Sequence, residues 1–213
     1  MENRDFKQWE SLWPSQDVRV DRSLHIWESA VLLPLRKGSW GWEILFEVRS
    51  GKLNWQPGDI CFPGGHREEQ DATLLETALR ETHEELGVPR EAIQVLGPLE
   101  YFYGVMGPLI FPYAGVIDEK VPLSIQTDEV EELFAAPVQD LLSITPQTGK
   151  VSIGTKREEG FPDVLSNQEL KKWQVRNTYD LFFYPYGKYM IWGITARILH
   201  NFLNRVRKSG LSF

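Results

Sequence analysis

The sequence predicts an α+β fold, a mixed β-sheet with helices packed against it. Short runs rich in β-branched and aromatic residues recur along the chain, and two amphipathic helical stretches interrupt them. The two kinds of element do not alternate in a regular strand–helix–strand rhythm, which argues against a doubly wound parallel sheet. The 213 residues are 42% hydrophobic and 25% charged, an ordinary globular balance. A chain of this length buries about 70% of its unfolded surface, enough for a core without staples.

The elements follow in order. Phe6, Trp9 and Trp13 fall on a helical spacing, so residues 2–13 are expected to form a short helix within an N-terminal extension, residues 1–26. Strands are expected at Ser29–Leu35 and Trp42–Val48. Gly51, Pro57, Gly58, Pro63, Gly64 and Gly65 then break the chain into loop, with a short extended piece at residues 60–62. The strongest helix begins after Asp71, with Asp71 or Thr73 as its cap, and carries Leu75, Ala78, Leu79, Thr82 and Leu86 along one side. Gly87 and then Pro89 stop it. Further strands are expected at Ile93–Leu99, Leu109–Ile117, Val130–Ala135 and Tyr179–Tyr184, and a second helix from about Met190 to Val206. Residues 145–172 are polar, interrupted by Gly and Pro, and ambiguous.

Charge and cysteine content exclude several functions. The formal net charge is −7, so no global field gathers nucleic acid or an anionic membrane. Lys171, Lys172 and the Arg205, Arg207, Lys208 tail are small basic clusters of the kind found at solvated helix ends. A single cysteine, Cys61, rules out an internal disulfide framework and a cysteine-cluster zinc site, and its neighbours suggest a small core residue. No signal peptide or long apolar run is visible, so the expected compartment is the cytoplasm, with no membrane partner.

Chemistry concentrates between Gly64 and Val88. Glu81, Glu84 and Glu85 stand at i, i+3 and i+4, so a helix projects them from one face. Three carboxylates so placed repel one another, and partial burial would raise at least one pKa. A hard divalent cation resolves that conflict, because Mg²⁺ and Mn²⁺ prefer carboxylate oxygens. Arg80 beside Glu81 can orient a carboxylate through its planar fork. A solvated acidic face is the alternative for Glu84-Glu85 alone. It loses ground once the diglycine turn, the Arg-Glu pair and the Leu-Gly-Val stop are taken together.

This stretch resembles the Nudix box, written G-x5-E-x7-R-E-U-x-E-E-x-G-U with U aliphatic. Gly65, Arg80, Glu81, Glu84, Glu85, Gly87 and Val88 all fit. Thr82 stands where an aliphatic residue is usual. Asp71 takes the first acidic position with one residue too many before Arg80, which suggests Asp71 as a cap for a lengthened junction. Upstream, Leu45-Phe46-Glu47-Val48-Arg49-Ser50, Asn54, Gly58 and Phe62-Pro63-Gly64-Gly65 are similar to the signature of the coenzyme A diphosphatase-like branch. Glu47 replaces a Thr there and Asn54 an Arg, while Gln56 stands where many members carry His. Tyr189-Met190-Ile191-Trp192-Gly193-Ile194-Thr195-Ala196 also resembles the branch's terminal helix. The resemblance extends over about residues 27–204, and it implies that residues 27–213 form a Nudix domain, an α/β/α sandwich with a mixed β-sheet packed between helices.

The resemblance implies hydrolysis of a diphosphate linkage with Mg²⁺ or Mn²⁺, which neutralises the phosphates and activates water. The substrate class is a nucleoside diphosphate-linked small molecule: coenzyme A, a related adenylated diphosphate, or, given Asn54 and Gln56, another nucleoside diphosphate. Glu85 and Glu81 are the implied first ligands, with Glu84 a ligand or a partner of Arg80, and the Gly65 carbonyl a further ligand. Glu81 is alternatively the base that takes a proton from water. Glu129, Glu131 and Glu132 are the candidates for a fourth acid, each equally readable as a solvated edge. Arg49, Gly64 and Gly65 are the substrate-binding candidates, and for Arg49 the alternative is a salt bridge with Asp59 or Glu47. His66 is readable as a phosphate contact or a loop residue, His83 as structural, and Trp55 as core, groove wall or a stacking surface for a base. Because all three helix acids are present, a non-catalytic Nudix-like module is disfavoured. The resemblance also allows a homodimer, with the apolar C-terminal helix as a contributor.

Overall fold

The computed structural model describes residues 27–103, 108–161 and 172–210. The helix expected at residues 2–13 lies outside the described residues. In chain order the strands are β1 (Glu28–Gly38), β2 (Gly41–Arg49), β3 (Ile60–Cys61), β4 (Gly64–His66), β5 (Ile93–Pro98), β6 (Phe102–Tyr103), β7 (Leu109–Ile117), β8 (Val130–Pro137), β9 (Gln147–Thr155), β10 (Gln174–Tyr186) and β11 (Tyr189–Trp192). The helices are α1 (Leu74–Leu86), α2 (Val138–Ser143) and α3 (Gly193–Ser209).

The larger sheet is mixed, as expected. β1 runs parallel to β7 from Glu28↔Leu109 to Arg36↔Ile117 and antiparallel to β2 at its far end, from Leu35↔Ile44 to Gly38↔Gly41. Toward the other end β1 and β2 splay apart, and the chain expected to be loop fills the gap. β3 pairs with β2 at Glu47↔Cys61 and Val48↔Ile60, while β4 pairs with β1 from Ser29↔His66 to Val31↔Gly64. The Leu32 N–H donates to the Pro63 carbonyl at 2.9 Å and closes the wedge. This wedge carries the diglycine and faces α1.

Helix α1 starts where its sequence says it must. The Thr73 hydroxyl accepts the Glu76 N–H at 3.2 Å and the Glu76 carboxylate returns to the Thr73 N–H, a reciprocal cap. Gly87 ends it in the left-handed region at φ 67°, donating its N–H to the His83 carbonyl. Ala78 and Leu86 pack on Ala30, Leu32 and Leu45 from one face of the sheet. The opposite face is covered by α2, α3 and the small β9–β10–β11 sheet, with Phe46, Phe134, Tyr184, Ile191 and Leu199 at the centre. Helices therefore lie on both sides of the sheet, as the sandwich expectation required. Among the described residues no helix is long and apolar enough to cross a membrane.

Two expectations need correction, and one element was not foreseen. The helix expected from Met190 begins at Gly193 and runs to Ser209, because Tyr189–Trp192 pairs with Phe183–Tyr186 as β11. The strand expected at Tyr179–Tyr184 extends to Gln174–Tyr186, since β9, drawn from the ambiguous segment, pairs along most of it. The short helix α2, which buries Val138 and Leu141, had no counterpart in the sequence reading.

Candidate active site

The wedge and α1 meet at two acids. Glu85 is almost fully buried, and its Oε2 accepts the Gly64 N–H at 2.8 Å. Glu81 lies against Gly65 so closely that a Cβ at residue 65 would collide with its carboxylate. Gly64 has φ 153°, and a Cβ there would strike the Ala30 carbonyl and Val31. The two glycines thus have separate tasks: the first lets β4 lie on β1, the second lets a helix carboxylate approach bare backbone. Burial pushes the Glu85 carboxyl well above the usual range, reinforced by the charge of Glu47, and burial likewise raises Glu81.

Arg80 organises the acids around it. Its Nε and one terminal nitrogen hold Asp71 in a fork, both at 3.1 Å, and that nitrogen also donates to the His66 carbonyl at 3.0 Å. The other nitrogen reaches Glu84 and Glu81, each at 3.0 Å. Asp71 also accepts the Thr77 hydroxyl at 2.9 Å and the Glu68 N–H at 3.0 Å. These bonds, led by the one from Arg80, pull the Asp71 carboxyl down to about 2. The expectation that Asp71 caps the lengthened junction is therefore corrected. Thr73 is the cap, and the extra residue lets Asp71 fold back beneath Arg80. Of the two roles expected for Glu84, partner of Arg80 is the contact formed; its side chain is 52% exposed.

Thr82 departs from the aliphatic pattern with its hydroxyl satisfied inside the helix. It is fully buried, and its hydroxyl donates to the Ala78 carbonyl one turn back at 2.7 Å. His83 is structural as expected, its Nδ1 lying 3.1 Å from the Val88 carbonyl at the helix end. His66 packs edge-on to Trp27 and pairs with the Ser29 hydroxyl at 3.2 Å, so its ring is held on the outer side of β4.

Sequence reasoning missed the acid on the sheet side. Glu47 on β2 is 1% exposed; its Oε2 accepts the Cys61 thiol at 3.7 Å, and its Oε1 has no hydrogen-bond partner. Burial drives its carboxyl up to about 8, with Glu129 and Glu81 adding repulsion. Cys61, expected as a small core residue, is instead half-buried against this acid, and burial raises its thiol too. The available signal was alternation: Leu45 faces α1, and period two puts Glu47 on that same inward face. Arg49 is attracted to Glu47 and hydrogen-bonds to Cys61, and its Nε donates to the Trp55 carbonyl at 3.4 Å; it makes no ion pair with Glu47 or Asp59.

The three later acids separate. Glu129 is exposed, yet close enough to raise Glu47, Glu81 and Glu85 together. Glu131 turns to the Gly51 N–H at 3.3 Å. Glu132 accepts from Lys188 and from the Tyr189 hydroxyl at 2.7 Å, and lines a cavity of about 580 Å³ with Val48, Ile60 and Trp192, away from the helix acids. Trp55 is 68% exposed, so it is not core, and Asn54 and Gln56 are exposed beside it.

This donor set fits a divalent cation. Buried acids of like charge crowd one side of α1, and one carboxylate oxygen among them is orphaned. Among the described residues no three His, Cys, Asp or Glu side chains form a ready-made cage. Mg²⁺ does not need one, since it keeps several waters and shares its shell between one or two carboxylates and substrate phosphates.

A family model described as the NUDIX domain matches residues 29–152. A Photorhabdus laumondii protein named as the uncharacterized Nudix hydrolase NudL is 29% identical over 164 residues, covering 77% of each chain. Its namesake from Pectobacterium atrosepticum is 31% identical over 157 residues, covering 74% of this chain and 71% of that one. The fold is also similar to the crystal structure of a MutT/nudix family protein from Enterococcus faecalis. That likeness has a TM-score of 0.50 at 14% identity and covers 96% of this chain and 69% of the other.

Proposed function

The chain belongs to the Nudix family of diphosphate hydrolases, and from that premise we propose that it cleaves coenzyme A or a related adenylated diphosphate with Mg²⁺ or Mn²⁺. The observation that carries the metal reading is the pair of buried acids, Glu85 and Glu81, held against the Gly64-Gly65 backbone. The substrate reading rests on the run from Leu45 to Gly65, which resembles the coenzyme A branch and folds as the wedge beneath α1.

In this reading Glu85 and Glu81 would hold the cation, with the Gly65 carbonyl beside Glu81 as a third donor and Glu129 as the candidate for a further acid. Glu84 keeps its bond to Arg80, and Arg80, fixed by Asp71, positions Glu81. A cation bound there would neutralise diphosphate charge and lower the pKa of water. Alternatively Glu81, whose carboxyl is raised by burial, accepts the proton that water loses. Arg49, which has no carboxylate ion-pair partner among the described residues, supplies a forked cation to a phosphate. Water oxygen bonds to one phosphorus, the bridging oxygen departs with the other, and two phosphate monoesters result.

A second reading keeps this chemistry and changes the substrate. Asn54 and Gln56 are exposed and uncharged where the coenzyme A branch carries cations, which favours ADP-ribose, NADH or a dinucleotide polyphosphate. Product release from a panel of these compounds and coenzyme A, with Mg²⁺ or Mn²⁺, separates the two. Preferential formation of phosphopantetheine is the expected result; preference for another diphosphate moves the substrate and leaves the chemistry.

A further inference from the structure

We propose that Glu47 supplies an inner carboxylate to the cation site, reaching it from the sheet while Glu81 and Glu85 reach it from the helix. The inference rests on the metal reading above and adds to it a ligand outside the acidic helix. It begins with position. Glu47 occupies β2 on the face turned toward α1, one strand period beyond Leu45, whose side chain packs in the core under that helix. Its cross-strand neighbour is Cys61, and four residues later the same wedge delivers Gly65 to Glu81.

The second observation is the orphaned oxygen. A carboxylate sealed from water normally has every oxygen bonded, because each unmet one carries the full desolvation penalty. Glu47 Oε1 is the buried side-chain oxygen without a partner among the described residues, and Oε2 has only the weak thiol donor. Arg49 is the attractive charge near it, while Glu81 and Glu129 repel it, and Glu47 in turn repels Glu85. A purely structural acid would be expected beside a strong donor. A buried acid with an unpartnered oxygen, repelled by the helix carboxylates, is suited to a cation they share.

The test is Mn²⁺ binding, followed by the electron paramagnetic resonance signal of free Mn²⁺, on the parent protein, Glu47→Gln and Glu85→Gln. Thermal melting with and without Mn²⁺ accompanies it. Glu47→Gln preserves shape and removes a buried acid whose hydrogen-bond partner is the weak thiol donor of Cys61, so its metal-free melting temperature is expected to equal or exceed the parent's. Its Mn²⁺ affinity is expected to fall roughly 10- to 100-fold, with loss of the Mn²⁺-induced rise in melting temperature. Parental affinity in Glu47→Gln beside weakened binding in Glu85→Gln overturns the role of Glu47 and leaves the helix site standing. Parental affinity in both variants overturns the site itself. Glu47→Asp keeps the charge but withdraws it by one methylene, and is read the same way should the Gln variant not fold: weakened binding supports the ligand, unchanged binding overturns it.

Discussion

The Gly64 backbone N–H and the Glu85 carboxylate are joined by a 2.8 Å hydrogen bond that ties the wedge between β1 and β2 to the helix above it. The bond engages one oxygen of the most deeply buried helix acid and fixes its direction. Gly64 can make it only because its backbone lies at φ 153° with no Cβ to meet Ala30 and Val31. A sheet defect and a helix acid are thereby one device.

The neighbouring glycines should respond differently to the same substitution. Gly64→Ala places a Cβ into β1 at a strained backbone position and is expected to cost at least about 1–3 kcal/mol. In Gly65→Ala the atoms nearest the new Cβ are the carboxylate end of the Glu81 side chain, so it should leave the melting temperature within a few degrees of the parent while depressing metal-dependent turnover. Urea melts and initial rates on both variants check the contrast.

Asp71 should set an acid limb of stability. Its folded carboxyl is depressed to about 2, chiefly by the Arg80 hydrogen bond, so the folded state holds fewer protons than the unfolded chain. The contribution is present above the unfolded value near 4 and is lost as pH falls through 2, about 2 kcal/mol in all. Asp71→Asn is expected to be destabilised at pH 6, with the gap to the parent closing as pH falls toward 2. Denaturant titrations across that window measure it.

Glu47 should do the reverse. Its folded carboxyl is raised by burial to about 8, so the folded protein holds the proton longer than the unfolded chain. Metal-free stability should therefore decline as pH rises from about 5 to 8. Glu47→Gln should flatten that slope, visible as a smaller drop in melting temperature over the window when a chelator is present.

Which parts of this molecule were legible in the sequence follows from how local their causes are. The helix α1 was readable at both ends because its cap, Thr73 with Glu76, and its stop, Gly87, lie within the segment itself. Tyr189–Trp192 read as helix because its residues suit one; only pairing with Phe183–Tyr186 makes it a strand. The same holds for β9, whose polar sequence is defined by its partner β10. At the site, Glu81, Glu84, Glu85 and the diglycine form a spacing that chemistry alone can interpret. Asp71 was seen but given the wrong task, since its bond to Arg80 depends on how the junction folds back. Glu47 was visible only as a departure from a pattern, because its significance comes from burial beneath a helix nearly thirty residues away in sequence.

The most direct test of the central claim is Mn²⁺-dependent hydrolysis of a diphosphate substrate by the parent protein and by Glu85→Gln, with folding verified by melting. Glu85 is expected to hold a cation that supplies several kcal/mol of transition-state stabilisation. The account predicts that a chelator abolishes parental turnover, and that Glu85→Gln, still folded, falls by about a hundredfold or more. A folded Glu85→Gln protein that turns over at the parental rate would contradict it.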